Sequence, residues 1–323
     1  MIFGIQEIAI GFEINVSNDP FFSVIIPTFN RAYILSSTIK SVLRQSFQDF
    51  EIWVIDNGST DNTDRVVGEF EDHRVHYIRI GPTGGPAAPR NVGMSHARGT
   101  WLAFLDSDDL WYPDKLSMVK EKAVTGNYEL ISHYQLLQDN SGKEKGIMGR
   151  RFDGNPTYFE FLTTENTFAT SSVCVNRDFL EKNNIWFRED KSYRAIEDYD
   201  LWLRVLRGGG RGRVIRKILG SNVDSDDNLG VDSIFFENMS YLIEDHSEWL
   251  NKKNGWDQTS IKNYLWANLA MRQGFTAARQ KEYRKAFKKI TKAVFSSPKS
   301  VISYLYLRIR QRIYFSSKTN CAI

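Results

Sequence analysis

The sequence predicts an α/β fold, with a mostly parallel sheet flanked by helices and a helical extension at the C-terminal end. Four short runs rich in β-branched and aromatic residues, at 22–26, 50–55, 75–80 and 100–105, alternate with stretches of helical periodicity. From residue 261 onward, apolar residues repeat only at helical spacing. Strands that alternate with helices form parallel sheets buried on both faces, so we expect one such sheet in the first part of the chain.

The helices of this first part are predicted from the same periodicity. Apolar residues repeat every three or four positions from Ile34 to Leu43, and Asn30 occupies a position suited to an N-cap. After about residue 125 the alternation weakens, and the sequence favours loops. A helix is predicted next over 201–206, and the glycines at 208–210 end it.

Three further helices are predicted in the C-terminal region. One begins at Ile261 and breaks at Gly274, and a second begins at Tyr283 and stops before Pro298. A third covers 301–315.

Length and composition indicate one full-sized domain with an appendage. The 323 residues are 41% hydrophobic, which is enough to bury a core. Cys174 and Cys321 lie far apart, so neither a disulfide framework nor a thiolate metal site is predicted. The first 15 residues lack the basic start of a secretory signal, and no apolar run approaches the ~20 residues of a spanning helix. These features predict a cytoplasmic location.

Charge is distributed unevenly along the chain. Residues 271–323 carry 13 lysines and arginines and one acidic residue, Glu282, whereas residues 1–270 have a net charge of −9. A basic segment of this kind favours an anionic partner, either nucleic acid or the anionic cytoplasmic surface of a membrane. A solvated helical face without a partner is the alternative.

The residues that follow the predicted strands are the candidate binding residues, because ligands of parallel sheets bind at the carboxyl ends of the strands. Three of the four sets are rich in polar or small residues. The sets are Pro27-Thr28-Phe29-Asn30, Asp56-Asn57-Gly58-Ser59, residues 81–89, and Asp106-Ser107-Asp108-Asp109.

Asp106 and Asp108 form a candidate metal site. In extended chain their side chains point to the same side, where they repel each other unless a cation lies between them. Carboxylate oxygens suit Mg²⁺ or Mn²⁺, which would take further ligands from water and phosphate. Asp109 alternates away and is expected to support the turn. An ordinary acidic turn is the alternative for so short a motif.

A glycine- and proline-rich stretch upstream supplies parts of an anion site. Gly84 and Gly85 allow a ligand to approach the backbone closely, and Arg90 offers a guanidinium to phosphate. Neither G-x-G-x-x-G after a strand nor G-x-x-x-x-G-K occurs, so a nucleotide would be bound differently than in dehydrogenases or P-loop enzymes. A plain surface loop is the alternative.

Five ordered motifs together resemble the family 2 glycosyltransferases, which have the A-type fold. The resemblance covers residues 22 to about 220. The motifs are Val24-Ile25-Ile26-Pro27-Thr28-Phe29-Asn30-Arg31, Val54-Ile55-Asp56-Asn57-Gly58-Ser59-Thr60-Asp61, Ala88-Pro89-Arg90-Asn91-Val92-Gly93, Phe104-Leu105-Asp106-Ser107-Asp108-Asp109 and Glu197-Asp198.

The resemblance implies a role for each group of motif residues. It implies Mn²⁺ or Mg²⁺ on Asp106 and Asp108. It implies Asp198 as the catalytic base, and we take Glu197 as the next candidate and Asp200 as a more distant one. It implies that the nucleotide-sugar is bound by Pro27, Thr28, Phe29 and Asn30 along the nucleotide, Asp56 and Asn57 at the base, and Arg90, Asp106 and Ser107.

The implied reaction is a single displacement that inverts the anomeric carbon. A sugar moves from a nucleoside diphosphate to a hydroxyl of a glycan or lipid-linked saccharide, as in polysaccharide and cell-envelope biosynthesis. A divalent ion neutralises the leaving diphosphate, and a carboxylate accepts the proton of the attacking hydroxyl. Apart from the resemblance, Glu197 and Asp198 also suit the first turn of a helix, where acidic residues complement the dipole.

The chain departs from many relatives at three places. Asn57 stands where many have a second aspartate. Its carbonyl oxygen can accept from the N3–H that uracil and thymine share, so UDP- and dTDP-sugars are both expected donors. Residues 219–225 replace a Tyr-Arg-x-His-type segment, which puts any metal or phosphate contact from that loop in doubt. The Q-x-x-R-W signature of processive synthases is absent, which favours addition of a single sugar.

The predicted organisation has three parts: an N-terminal extension over 1–21, a glycosyltransferase domain over 22–235 and a basic helical extension over 236–323. The domain divides into a nucleotide-binding half (22–125) and an acceptor-binding half (126–235). Val301, Leu305, Ile309 and Ile313 would share one helical stripe beside arginines, which suits peripheral binding to an anionic bilayer that carries the acceptor. Packing of this helix on its own domain is the alternative.

Two other functions share parts of this pattern. A catalytically silent nucleotide-sugar-binding or scaffold protein would keep the donor motifs, but here the metal pair and the base pair are both intact. A nucleic-acid-binding protein could use the basic tail and its tyrosines to stack bases. No known nucleic-acid module is recognisable, so no nucleic-acid partner is expected.

Overall fold

A computed structural model describes residues 19–139, 141–149, 155–164, 166, 168–224, 229–279, 281–298, 301–302 and 305. In this part of the chain, nine strands form one sheet. They are β1 (Phe22–Thr28), β2 (Phe50–Asp56), β3 (Val75–Arg79), β4 (Trp101–Phe104), β5 (Leu110–Trp111), β6 (Leu130–Asp139), β7 (Glu144–Met148), β8 (Cys174–Asn176) and β9 (Gly212–Asp224).

Ten α-helices connect and cover the strands within the described residues. Two 3₁₀ helices, Thr170–Ser172 and Lys191–Tyr193, precede β8 and the seventh α-helix. The α-helices are α1 (Ala32–Leu43), α2 (Thr63–Gly68), α3 (Ala87–His96), α4 (Lys115–Thr125), α5 (Tyr158–Thr164), α6 (Arg177–Lys182), α7 (Glu197–Arg207), α8 (Leu229–Asn254), α9 (Gln258–Arg279) and α10 (Tyr283–Ser296).

The strand order across the sheet is β3-β2-β1-β4-β8-β6-β9-β5, and β7 pairs with β6 outside this path. The pairings of β1 with β2 and β4, of β2 with β3, and of β6 with β9 are parallel and contain most of the paired residues. The remaining, shorter pairings are antiparallel. The predicted fold class, a mostly parallel sheet flanked by helices, is confirmed.

Apolar side chains cover both faces of the sheet. On β1, Ile25 belongs to one core cluster with Phe104 and Trp202, whereas Val24 and Ile26 belong to a second cluster on the other face. Because both faces are buried, a ligand has access at the strand ends rather than on a face. The carboxyl ends of β1, β2 and β4 lie side by side at one such edge.

The four strands predicted from the sequence are all present, with ends shifted by no more than two residues. The prediction of mostly loop sequence after residue 125 is wrong. β6 spans ten residues and lies inside the sheet between β8 and β9. It carries Ser132, His133 and Gln135 as buried residues, so the hydrophobic pattern that reveals a buried strand is interrupted.

The predicted helices need two corrections. The N-cap of α1 is Arg31, not Asn30, which instead has a left-handed backbone with φ 52°. α9 runs through Gly274 without a break. A Cβ on Gly274 would lie 2.6 Å from Cγ1 of Ile290, so this glycine lets α10 pack closely on α9 rather than ending a helix. The helix predicted over 201–206 is present as α7, which begins four residues earlier, at Glu197, and has Gly208 as its C-cap, as expected.

Two C-terminal helices contribute to the core that covers one face of the sheet. Leu242 and Leu250 of α8 and Leu265 and Leu269 of α9 belong to the same core cluster as Phe104. α8 begins at Leu229, so it runs across the predicted boundary at 235–236. Most of the helix predicted over 301–315 lies outside the described residues. Among the described helices, none has both the length and the apolar character needed to cross a bilayer.

Candidate active site

A cleft of about 730 Å³ opens at the carboxyl ends of β1, β2 and β4. Three predicted site residues are not among those that line it: Asn30 and Asp56, predicted to bind the nucleotide, and Asp198, predicted as the catalytic base. The predicted residues that do line it are Pro27, Thr28, Phe29, Asn57, Arg90, Asp106, Ser107, Asp108 and Glu197, together with Pro82, Gly84, Gly85, Pro86 and Pro89 of the predicted 81–89 set.

Asn30 joins the loops that follow β1 and β2. Its backbone N–H donates to the Ser59 hydroxyl at 2.8 Å, and its Oδ1 accepts from the N–H of Thr60 at 2.8 Å. Asparagine is one of the few residues that adopt the left-handed backbone found here. The neighbouring Phe29 lines the cleft and is half-exposed, so its ring can contact a ligand.

Asp56 holds the loop after β2 in place. The buried carboxylate accepts from the Tyr77 hydroxyl at 2.6 Å and from the N–H of Ser59 at 2.8 Å. Each carboxylate oxygen can accept more than one hydrogen bond. Contact between Asp56 and a nucleobase therefore stays a prediction.

Asn57 lies at the cleft, but its amide is engaged with the loop that precedes α3. Oδ1 accepts from the N–H and the hydroxyl of Thr83, at 3.0 and 2.9 Å, and Nδ2 donates to the Gly85 carbonyl at 3.3 Å. Both lone pairs of Oδ1 are used in this arrangement. Acceptance from the N3–H of a base, as predicted, requires the Thr83 hydroxyl to donate elsewhere, and the Gly85 carbonyl lies 3.3 Å from it.

The three aspartates after β4 have two different environments. Asp106 and Asp108 line the cleft, and Asp109 is buried, as the alternation predicts. Asp106 Oδ1 accepts from Arg90 at 2.7 Å, and Asp108 Oδ2 lies 3.4 Å from the Arg31 guanidinium. The N–H of Asp109 donates to the Asp106 carbonyl at 3.1 Å, which closes the turn.

Burial and mutual repulsion raise the pKa of two of these carboxyl groups. For Asp108, burial and then the charge of Asp106 outweigh the attraction of Arg31. For Asp109, burial and then the charges of Asp106 and Asp108 raise the pKa well above its ordinary value. A divalent cation at Asp106 and Asp108 would favour the charged forms. Carboxylates suit Mg²⁺ and Mn²⁺, so the residues present fit such an ion.

Arg90 joins the acidic loop to α7. Its buried guanidinium donates to Asp106 at 2.7 Å and to Glu197 at 2.9 Å, and it lies over the Phe187 ring. Burial by itself lowers the pKa of Arg90, but the charges of Asp106 and Glu197 outweigh it and raise the pKa above the ordinary value. The sequence suggests Arg90 as a phosphate ligand, whereas the structure shows it holding two carboxylates together.

Glu197 and Asp198 begin α7 in different surroundings. Glu197 lines the cleft and is buried, and among the described residues its Oε2 has no hydrogen-bond partner. Asp198 Oδ2 accepts from the Thr170 hydroxyl at 2.9 Å and from Asn166 Nδ2 at 3.2 Å. Burial, followed by the charge of Glu197, raises the pKa of Asp198 to about 6. A carboxylate with this pKa is suited to accept a proton near neutral pH.

Asp200, the most distant candidate base, belongs to a separate buried network that joins α7 to α8. Asp200, Asp245 and His246 lie close enough together to share one metal ion. However, arginines pair with both carboxylates and cancel the negative charge that would attract a cation. We therefore assign this network to helix packing rather than to metal binding or proton transfer. The arginines are Arg188, Arg204 and Arg207.

Four residues of the cleft were not predicted to contribute to it: Arg31, Arg194, Ala195 and Asn222. Ala195 has φ 65°, a left-handed conformation that is strained for alanine. Asn222 Nδ2 donates to Asp109 Oδ2 at 3.0 Å, so its segment contacts the acidic loop. Only Arg31 had a sequence signal, as part of the first motif. Asn222 reaches the cleft because β9 pairs with β5 directly after the acidic loop.

Similarity to known proteins supports one family. The sequence model described as glycosyl transferase family 2 matches residues 23–183. The Escherichia coli protein UDP-Glc:alpha-D-GlcNAc-diphosphoundecaprenol beta-1,3-glucosyltransferase WfgD is 30% identical over 191 residues, which cover 59% of this chain and 71% of WfgD. Two uncharacterised glycosyltransferases, of Rickettsia conorii and Rickettsia felis, are longer, and the alignments span 38% of their length.

Solved structures share the fold at low sequence identity. S. aureus TarS 1–349 has a TM-score of 0.61 at 19% identity, and the match covers 88% of this chain and 82% of that chain. The mannosyltransferase PcManGT from Pyrobaculum calidifontis, in complex with GDP-Man and Mn²⁺, has a TM-score of 0.55 at 16% identity, with 89% and 88% covered. These matches identify the fold as the glycosyltransferase A-type fold. Together with the identity to WfgD, the family match shows that this chain is a glycosyltransferase that belongs to family 2.

Proposed function

We propose that this chain transfers one sugar from a UDP- or dTDP-sugar to a hydroxyl of a glycan or lipid-linked saccharide, with inversion at the anomeric carbon. The observation that carries the proposal is the meeting of Asp106, Asp108 and Glu197 in one cleft around the buried Arg90. The name of the E. coli relative WfgD gives a UDP-Glc donor and a lipid diphosphate acceptor, which supports both substrate classes.

Asp106 and Asp108 are the residues that would hold Mn²⁺ or Mg²⁺. When bound, the ion would neutralise the charge that develops on the leaving diphosphate. The raised pKa of Asp108, which has burial and the charge of Asp106 as its main causes, supports the assignment, because a cation would relieve that repulsion. The fold neighbour PcManGT was solved with Mn²⁺, which also supports it.

The nucleotide is assigned to the loops after β1, β2 and β4. Phe29 offers an exposed ring, and Pro27, Thr28 and Ser107 line the same part of the cleft. Asp56 and Asn57 are the proposed base-reading residues, with Asn30 holding their loop in place. Arg90 acts indirectly, because it positions Asp106.

The proton acceptor is assigned to Asp198, with Glu197 as the second candidate. Burial and the charge of Glu197 raise the pKa of Asp198 to about 6, so the carboxylate is ionised at neutral pH and still basic enough to accept a proton. Glu197 already pairs with Arg90. One proton acceptor and one displacement, with attack opposite the leaving group, invert the anomeric carbon.

Sugar transfer by the purified full chain tests the proposal. The assay supplies Mn²⁺, one of UDP-glucose, UDP-GlcNAc, a dTDP-sugar or GDP-mannose, and a lipid-diphosphate-linked GlcNAc acceptor, and NMR reads the anomeric configuration of the product. We expect turnover of a uridine or thymidine donor with inversion. Asp108→Ala and Asp198→Ala should each lower the rate by at least about 10²-fold, and the exposed Asp178→Ala should not.

Two results of the same assay would contradict the proposal. Transfer or donor hydrolysis that both variants leave unchanged would exclude the assigned roles. Binding of UDP with no turnover of any donor would favour a silent nucleotide-sugar-binding protein.

A further inference from the structure

α10 presents an exposed face that is both aromatic and basic. The opposite side of the helix is anchored, because Ala293 packs with Ala267 and Met271 of α9, and Ile290 approaches Gly274. This packing sets which side of α10 faces outward. The outward side belongs to a different segment from the stripe predicted over 301–313.

Two neighbouring stripes make up the outward side. Tyr283, Phe287 and Val294 are spaced by four and seven residues, so they share one stripe. Arg284, Lys288 and Phe295 repeat the same spacing one position later. Tyr283 is 68% exposed, Phe287 71% and Phe295 87%, so in the described structure little covers these rings.

The helix also carries a concentration of positive charge. Within nine residues it has Arg284, Lys285, Lys288, Lys289 and Lys292. Among the described residues, the ion pair that these five side chains form joins Lys285 to Glu282, at 2.8 Å. Burial and then repulsion from Lys292, Lys285 and Lys288 lower the pKa of Lys289. An anionic partner would relieve this repulsion.

We propose that this face of α10 binds the surface of an anionic phospholipid bilayer. Phe287, Phe295 and Val294 would enter the boundary between head groups and acyl chains, and the lysines would contact the anionic head groups. The proposal does not depend on sugar transfer, since bilayer binding needs neither donor nor metal. It would hold the cleft near an acceptor that is carried in the membrane.

Charge and side-chain type favour a bilayer over two other partners. A second copy of the chain in a two-fold dimer would place the same lysines against each other, which is repulsive. A nucleic acid would use flat rings for base stacking, but aliphatic Val294 and the exposed Ile302 cannot stack on a base. Aliphatic and aromatic residues beside lysines instead match a bilayer interface.

Flotation of the full chain with lipid vesicles tests the proposal. Vesicles of phosphatidylglycerol and phosphatidylcholine in equal parts are compared with pure phosphatidylcholine, at low and high salt. We expect binding to the anionic vesicles alone, weakened by salt. Lys288→Glu with Lys292→Glu should weaken it by at least about tenfold, as should Phe287→Ser with Phe295→Ser. The matched control is Lys182→Glu with Lys217→Glu, which makes the same charge change on exposed residues of α6 and β9 and should bind as wild type.

Circular dichroism and Tm show that each variant is folded, as expected for exposed side chains. Three results would overturn the proposal. The first is that both α10 variants bind the vesicles as strongly as wild type does. Another is equally strong, salt-sensitive binding to RNA or DNA that the lysine variant abolishes. The third is a dimer in sedimentation that the phenylalanine variant dissociates.

Discussion

Arg90 connects the two acidic parts of the cleft. Its guanidinium donates to Asp106 and to Glu197 from a buried position. The planar fork of arginine can bond two carboxylates at once, whereas the compact ammonium of lysine cannot reach both with the same geometry. The position of Glu197 relative to the acidic loop therefore depends on this one side chain.

Replacing Arg90 with methionine should destabilise the protein strongly. The change leaves Glu197 as a buried carboxylate without its partner, which lowers the free energy of unfolding by about 3–5 kcal/mol. Urea unfolding followed by circular dichroism measures the loss. Arg65→Met is the control, because its ion pair with Glu69 is exposed and should cost less than about 1 kcal/mol. Equal losses for the two variants would show that Arg90 does not hold the cleft together.

Asp198 should set the acidic limb of the pH profile. Transfer needs its ionised form, so kcat should rise with pH through about 6, the pKa to which burial and Glu197 raise this group, and then level off. Asp198→Asn should lower kcat by about 10²–10⁴-fold and remove this limb, with the donor KM little changed. Glu197→Gln should keep the limb but shift it to lower pH, because the charge of Glu197 no longer raises the pKa of Asp198. The reverse pattern would make Glu197 the base.

The same carboxyl group should make stability depend on pH. Its folded pKa of about 6 lies above the ordinary value of 3.8, so the native state binds more protons between these values than the unfolded chain. Stability should therefore fall as pH rises from about 4 through 6. Asp198→Asn should raise Tm at pH 8 relative to wild type and reduce this fall. A fall that is identical in both proteins would show that Asp198 is not the group responsible.

The contact between α9 and α10 depends on a glycine. A Cβ on Gly274 would lie 2.6 Å from Cγ1 of Ile290, which is shorter than a van der Waals contact. In a helix interior glycine is otherwise unfavourable by about 1 kcal/mol relative to alanine. Close packing, rather than helix propensity, explains the residue.

Gly274→Leu should therefore destabilise the protein by about 1–3 kcal/mol, although leucine is the better helix former. Combining it with Ile290→Ala should cost less than the sum of the two single changes, because the smaller side chain makes room. Urea unfolding of the single and double variants measures this. Gly68→Ala in α2 is the control, since its Cβ would meet nothing within 4 Å. A Gly274→Leu variant more stable than wild type would contradict the packing argument.

Strands β1 to β4 can be predicted from the local sequence, whereas the strands after residue 125 cannot. β1, β2 and β4 contain uninterrupted apolar runs, at 24–27, 52–55 and 101–104, and these residues are mostly buried, so local composition is enough to predict the strands. β6 is equally central, but Ser132, His133 and Gln135 interrupt its pattern. Its place in the sheet depends on pairing with β9 across about 80 residues, which no local window contains.

The residues of the cleft also fall into those that the sequence predicts and those that it does not. Pro27, Phe29, Asp106 and Asp108 follow predicted strands directly, so strand order alone predicts that they lie together. Two other cleft residues, Arg194 and Ala195, come just before α7, and Asn222 lies on β9. The positions of α7 and β9 depend on long-range packing. The sequence suggests that Arg90 binds phosphate. Its observed role, bridging two carboxylates, could be predicted only if the position of Glu197, 107 residues away, were known.

The whole molecule combines an acidic body with a basic C-terminal region. Residues 1–270 have a net charge of −9. Some of their carboxylates line the cleft where we propose that a diphosphate binds. A diphosphate and these carboxylates repel each other, and a divalent cation held by Asp106 and Asp108 would offset that repulsion. Metal dependence of nucleotide binding is thus the central claim about the molecule.

Titration calorimetry of UDP and dTDP, with and without Mn²⁺, tests this claim most directly. We predict that wild type binds at least one of these nucleotides at least about tenfold more tightly with Mn²⁺, because Asp106 and Asp108 would hold the ion and its charge would offset that of the diphosphate. Asp108→Asn should lose that difference, and Asp178→Asn, on the exposed surface of α6, should keep it. Equal affinity with and without Mn²⁺, or a Mn²⁺ effect that Asp108→Asn leaves intact, would contradict the account.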